Sequence, residues 1–163
     1  MTEEIRFYRS TGNYGFLSNL YPCDIFLDIS EWSKRPSPLY APSAEHAYQW
    51  LKAKNPQVQD DIMNVKLPRS AAILGHGMFR FDVHLKWNEI KVQWMHHVLN
   101  SKFLQHEDLT KLLLATGDAI LIEDSKTDAF WGMGKKGTGQ NMLGRLLMEI
   151  RESELSSSST HGR

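Results

Sequence analysis

At 163 residues the chain is long enough to bury a hydrophobic core without disulfides or a structural metal. Nineteen Lys and Arg against nineteen Asp and Glu leave no net charge, which excludes capture of nucleic acid or membrane by bulk basicity and leaves any partner to a local site. The lone cysteine, Cys23, excludes an internal disulfide, and the polar start with no apolar run of membrane length makes a soluble, cytoplasmic protein the expectation.

A strand is expected over 5–8, followed by the turn-rich Ser10-Thr11-Gly12-Asn13-Tyr14-Gly15. The next segment, Phe16-Leu17-Ser18-Asn19-Leu20-Tyr21-Pro22, is too short and punctuated for a helix. Asn19 lies there among apolar residues. A buried Asn needs partners, so it either satisfies backbone in a tight loop or presents its amide to a ligand. Cys23, between Pro22 and Asp24, reads as a buried structural thiol. A second strand is expected over 24–29, and the proline-rich stretch over 31–41 reads as a connecting loop.

The stretch Pro42-Ser43-Ala44-Glu45-His46-Ala47-Tyr48-Gln49-Trp50-Leu51-Lys52 is where chemistry is expected. Ser43 is a helix cap, and Pro42 discourages an earlier start, which predicts a helix over 45–52. At about 3.6 residues per turn, Glu45, Gln49 and Lys52 share one stripe, while Ala47, Trp50 and Leu51 lie on other faces. Such a stripe is either solvated or turned to a pocket. On spacing alone the solvated reading leads, because Glu45 also complements the helix dipole and Glu with Lys seven residues on is ordinary surface chemistry.

Short helices follow over 58–65 and 70–75, the latter ended by Gly75, and the segment 77–86 has no clear pattern. From Trp87 onward Ile90, Trp94, Met95, Val98, Leu99 and Phe103 keep a helical period, marking the long core helix. A helix over 109–115, a strand over 119–123 and a helix over 142–152 complete the series, the last burying Leu143, Leu146, Leu147 and Ile150. The expected organisation is one domain over 1–153 and a disordered polar tail over 154–163. Few short strands among many helices, without regular alternation, argue for an α+β fold, mostly helical with a small sheet.

A second informative stretch runs from Asp128 through Trp131-Gly132-Met133-Gly134-Lys135-Lys136-Gly137 to Asn141, straight into the last helix. Glycines before a helix N-terminus free backbone N–H groups to meet an anion, and two lysines add charge, so this reads as either a phosphate site or an exposed loop. The dinucleotide fingerprint fails, because the chain is nearly over before its acidic partner is due. A P-loop fails for want of a Lys-Ser or Lys-Thr pair after the last glycine. Trp131 either stacks on a planar base or packs the core, with stacking favoured beside glycines. The histidines, His96 and His97 among them, have no metal-type spacing, and no metal or cofactor is expected. Ser18 and Ser43 lack the glycine-flanked elbow of a serine hydrolase.

Taken together, Phe7-Tyr8, Gly15 through Asn19, Ser43-Ala44-Glu45-His46 through Gln49 and Lys52, Trp87 with Lys91 and Met95, Lys102-Phe103, Leu112-Leu113 through Thr116-Gly117, and Asp128 through Gly132 to Asn141-Met142-Leu143-Gly144 resemble the NADAR family, the YbiA-like N-glycosidases. Leu147-Met148 and Arg151 extend the resemblance, which covers nearly the whole chain. It implies a YbiA-like fold that hydrolyses N-glycosidic bonds, of phosphoribosylamino-pyrimidine intermediates of riboflavin synthesis or of ADP-ribose on guanine. Its partners would be that small ribosylated base or the modified guanine, with nucleic acid entering only as a modified substrate and no membrane. It places the family's pocket on Asn19, Glu45, Gln49, Lys52, Trp131 and Asn141. Within that pocket catalysis is expected on Glu45 and Lys52, and substrate binding on Asn19, Gln49, Trp131, Gly132, Gly134 and Asn141. Met133 and Lys86 depart from the family's usual acidic or polar residues, which bears on the substrate more than on the reaction. The competing reading is a non-catalytic ADP-ribose or nucleotide-binding module using the same pocket.

Overall fold

The computed structural model describes residues 2–160 and divides into two compact units. Residues 19–105 form one, and the segments flanking them form the other. The α+β class holds, with short strands among predominant helices.

The central unit opens with β2 (Pro22–Leu27) paired antiparallel to β3 (Leu39–Ser43). β3 falls largely within the stretch read as a loop. Its prolines do not prevent pairing on a two-stranded ribbon, and Pro42 itself holds Ala41 in the extended region. Ser43 then ends the strand and caps α1 (Ala44–Lys52), its Oγ accepting the His46 N–H at 3.2 Å. Asn55 caps α2 (Pro56–Asn64) in the same way, with Pro56 in the first turn where its missing N–H costs nothing. Gln59 of α2 donates to the Trp50 and Ala53 carbonyls, satisfying acceptors that the end of α1 leaves open.

α3 (Pro68–Ile73) does not stop at Gly75 as expected but widens into a π turn, Leu74–Met78. α4 (Trp87–Gln105) is the long core helix, with Trp87, Met95, Val98, Leu99 and Phe103 buried. Trp94 is only half-buried and meets the rings of Trp32 and His97. α1 packs on α2, α3, α4 and β3, so one short helix is the hub of this unit. Cys23 is half-buried rather than buried.

In the flanking unit β1 (Glu4–Phe7) pairs parallel with β4 (Ile120–Glu123), Ile5 opposite Leu121. α5 (Glu107–Leu114) and α6 (Met142–Thr160) pack together, and α6 lies on β4. Leu143, Leu146, Leu147 and Ile150 are its buried side, as the periodicity predicts. Buried Arg151 donates to Thr116 Oγ1, which in turn donates to the Leu113 carbonyl, tying α6 to the end of α5. α6 also runs through Thr160, past Glu154 where the tail was expected to lose structure. Ser156 and Ser157 return their hydroxyls to the carbonyls four residues back, Glu152 and Ser153. Residues 161–163 of that expectation lie outside the described residues.

Candidate active site

The stripe on α1 is not solvated. Glu45 is 8 % exposed, Gln49 fully buried and Lys52 9 % exposed. Ionisable groups at such depth require partners, and the partners are specific. Gln49 Nε2 donates to Glu45 Oε1 at 2.7 Å, one helical turn back. Lys52 Nζ donates to the Gly75 carbonyl at 2.8 Å. Gln49 Nε2 also lies 3.2 Å from His76 Nε2. Because an amide nitrogen can only donate, that imidazole nitrogen is the unprotonated one.

His76 and Gly75 come from the π turn, and the sequence offered no pattern there that would have found them. Their placement explains why the turn is built on glycine: a Cβ at Gly75 would sit 1.9 Å from Gln49 Oε1. Only a bare α-carbon lets the amide lie against the turn while its nitrogen reaches Glu45.

His46, the third buried polar residue on α1, serves the helix frame. Its Nε2 donates to the Val65 carbonyl at 3.0 Å, so its Nδ1 accepts from Ser43 Oγ at 2.7 Å. Burial lowers its pKa, which keeps the ring neutral and this chain of bonds intact.

Two buried acceptors near this stripe have no partner: Gln49 Oε1 and Asn19 Oδ1. Asn19 stands beside the first turn of α1, its carbonyl accepting the Glu45 N–H at 3.1 Å, and its amide nitrogen reaches only the sulfur of Met95 at 3.4 Å. Asn19 closes the helix start through its backbone carbonyl, and its side-chain oxygen is unsatisfied. A buried unpaired acceptor costs about 1–3 kcal/mol, a cost a folded protein can recover when a ligand donates to it.

Burial lowers the Lys52 pKa, and the neighbouring Glu45 carboxylate opposes that shift without cancelling it. A larger share of Lys52 is therefore a neutral amine near neutral pH than of a surface lysine.

The other expected site residues belong to the flanking unit. Trp131 is half-buried, with Phe130 packed edge-on at 4.9 Å. Asp128 Oδ1 accepts the N–H groups of both Phe130 and Trp131, which fixes the approach to the glycine loop. The loop is not shaped as an anion cradle. The N–H groups of Met133, Gly134, Gly137 and Gly139 donate to carbonyls of Glu123, Ser125, Gly134 and Met133. At the start of α6, Met142 and Leu143 donate to the Phe130 and Trp131 carbonyls. With these donors consumed, this part of the loop is a compact turn packed on β4, and these N–H groups do not form the expected anion cradle. Gly132 is there for close packing, since a Cβ would meet the Glu123 carbonyl at 2.7 Å. Gly134, with φ +65°, permits the loop's left-handed bend. Asn141 bridges β4, accepting from the Glu123 N–H at 2.9 Å and donating to the Leu121 carbonyl at 2.8 Å. Both ends of its amide are committed to backbone.

Among the described residues, no group of three or more His, Cys, Asp or Glu is placed to hold a metal, and no helix is long and apolar enough to cross a membrane.

A family model described as the NADAR domain matches residues 6–154, so both units fall within one family domain. The chain is 37 % identical over 148 residues to the N-glycosidase YbiA of Escherichia coli, covering 91 % of this chain and 86 % of that protein. It is 39 % identical over 152 residues to a riboflavin biosynthesis protein of Vibrio vulnificus, covering 93 % of this chain but spanning only 39 % of that protein's length. The NMR structure of E. coli YbiA superposes with a TM-score of 0.83 at 34 % identity, covering all of this chain and 92 % of that one. The chain belongs to the NADAR domain family.

Proposed function

We propose that this protein is an N-glycosidase, a hydrolase that cleaves the ribose C1–N bond of a base carrying a phosphoribosyl or ADP-ribosyl group. The observation that carries the reading is the buried stripe of Glu45, Gln49 and Lys52, with a lysine of lowered pKa and unpartnered amide oxygens beside it. A stripe serving only solubility would be exposed, and one serving only the core would be apolar. The name N-glycosidase borne by a relative supports cleavage of an N-glycosidic bond.

The chemistry follows from the bond. Where the base is attached through an exocyclic amine, the ribose can open to an imine at C1. The Lys52 amine adds to that carbon, the base departs as its free amine, and a lysine Schiff base remains. Water then adds to C1 and releases the sugar as its aldehyde, regenerating Lys52, so one water is consumed per bond. Glu45 stabilises the positive charge that builds at C1 and relays the protons of these additions, with Gln49 fixing the orientation of its carboxylate. Sugar hydroxyls are the donors suited to Gln49 Oε1 and Asn19 Oδ1. The alternative, direct attack of water on an oxocarbenium-like sugar with Glu45 as base, needs no covalent adduct.

The test is incubation of the purified protein with a ribosylamino-pyrimidine phosphate and with ADP-ribosylated guanine in an oligonucleotide, following base release by mass spectrometry. Borohydride added during turnover is expected to trap a sugar adduct on Lys52, and Lys52→Arg is expected to lose it. Turnover without any trapped adduct would leave only the direct route. Tight binding of an intact N-glycoside with no base released would make the protein a reader of ADP-ribose or a related nucleotide and end the enzyme reading.

A further inference from the structure

The Gln49 amide nitrogen offers its hydrogens to two acceptors, Glu45 Oε1 at 2.7 Å and His76 Nε2 at 3.2 Å. An ionised carboxylate only accepts, so Glu45 decides which end of the amide faces it. With the nitrogen there, His76 Nε2 must present its lone pair, and the proton of the neutral ring sits on Nδ1. That tautomer is the less common one for an imidazole in water, and its selection is a signature of the bond.

Protonation of the ring breaks this arrangement. An imidazolium donates from both nitrogens, so its Nε2–H would face the amide N–H as donor against donor. The amide cannot answer by exchanging its ends, because Oε1 would then face the Glu45 carboxylate, acceptor against acceptor. His76 is exposed, whereas Gln49 is fully buried. The charged ring therefore turns out to water, and Gln49 keeps one anchor instead of two.

The charged groups around the ring come from each neighbouring element. On α1, Glu45 lies across the Gln49 amide and favours the imidazolium, while Lys52, bonded to the adjacent Gly75 carbonyl, disfavours it. His46, also on α1, turns to Ser43 and Val65. α3, which packs on both α1 and the π turn, carries one charged side chain, the exposed Arg69. Beyond the turn, Arg80 donates to the Gly77 carbonyl at 3.3 Å, and the Asp82 carboxylate is engaged by the N–H groups of Lys54 and Asn55.

We infer that His76 is a positioning residue whose proton decides how firmly Gln49 holds the Glu45 carboxylate: fixed while the ring is neutral, loosened once it is charged. Resting on the glycosidase reading for this step only, turnover has an acid limb where histidines titrate, between about pH 5 and about pH 8, and above the range of a carboxylate.

The experiment has two arms. NMR of the isotope-labelled full chain follows the imidazole nitrogens of His76 and the side-chain amide of Gln49 as pH falls from about 8 to about 5. The proton is expected on Nδ1 at the alkaline end, and the Gln49 amide signals should move with the midpoint of His76. A neutral ring protonated on Nε2, or a Gln49 amide that ignores the charging of the ring, overturns the inference. The second arm measures kcat and KM for base release from the two substrates named above over the same range. kcat should fall on acidification with the midpoint read by NMR. His76→Phe, which has no acceptor, should lower kcat about tenfold at the alkaline end with a smaller change in KM. His76→Gln places a carbonyl oxygen near the position of Nε2 and accepts at every pH. It should recover most of that loss and move the acid limb down toward the carboxylate range, whereas a limb due to Lys52 would survive both substitutions. The ring is exposed, so the melting temperature should move little in either variant. A native kcat in His76→Phe, or an acid limb that His76→Gln leaves in place, overturns the inference. Spectra in which Gln49 follows the His76 proton, from a protein that releases no base from either substrate, would sink the glycosidase reading and leave this coupling standing.

Discussion

Gln49 orients the Glu45 carboxylate, and the two residues can be tested separately. Glu45→Gln keeps an acceptor for the Gln49 amide and removes the charge, so the fold is expected to survive while base release falls about a hundredfold or more. Near-normal turnover would remove Glu45 from the chemistry. Gly75→Ala tests the positioning instead. The new methyl group would collide with Gln49 Oε1, the far end of a flexible side chain that can swing aside, so the melting temperature should move little. Gln49 would then no longer hold the carboxylate, and a misplacement of that kind is expected to lower kcat toward about a hundredfold with a smaller change in KM. An unaltered kcat would mean that Gln49 merely packs there.

Elements whose own residues determine them were legible in the sequence, and those set by distant partners were not. The Ser43 cap and the periodicities of α4 and α6 announce themselves because each depends on spacing within the element. β3 depends on pairing with β2, and the π turn on a bare α-carbon opposite Gln49, neither of which leaves a local pattern. The stripe on α1 was visible as a stripe, but its burial was not, since spacing gives direction around an axis and not what lies opposite. The glycine loop misled for the same reason. Its composition suits an anion, and only tertiary structure shows the N–H groups of Met133, Gly134, Gly137 and Gly139 already spent. α6 illustrates how close such packing is: a Cβ at Gly144 would lie 2.1 Å from the Leu121 carbonyl and 2.6 Å from Asn141 Oδ1. The carbonyl is backbone and cannot swing aside. Gly144→Ala is therefore expected to force α6 off β4 and to destabilise by about 1–3 kcal/mol, read as a lower urea midpoint. An unchanged midpoint would mean that the strand yields without cost.

At the scale of the whole molecule, the buried cations set how stability follows pH. His46 and Lys102 are both depressed, mainly by burial, Lys102 to about 8, and Lys52 shifts in the same direction. A group whose folded pKa lies below its unfolded value binds more protons in the unfolded chain between the two, so stability rises with pH across that window. For His46 the window ends at the unfolded value of about 6.5, and for Lys102 it runs from about 8 to about 10.4. The carboxylates of Asp28 and Asp124, lowered mainly by hydrogen bonds to serines and to Lys126, contribute stability above their unfolded value that is lost on acidification. All these shifts have one sign, whereas the raised Tyr40 opposes them only near and above its ordinary value of 10.0. The urea midpoint is therefore expected to climb through the histidine window up to about pH 6.5 and to climb again between about pH 8 and about pH 9.5. Lys102→Met should flatten the climb above about pH 8 and leave the lower part in place, because it removes the alkaline window and not the histidine one. A native profile that is level between pH 8 and about 9.5 would mean that Lys102 keeps its charge in the folded protein through partners strong enough to offset its complete burial.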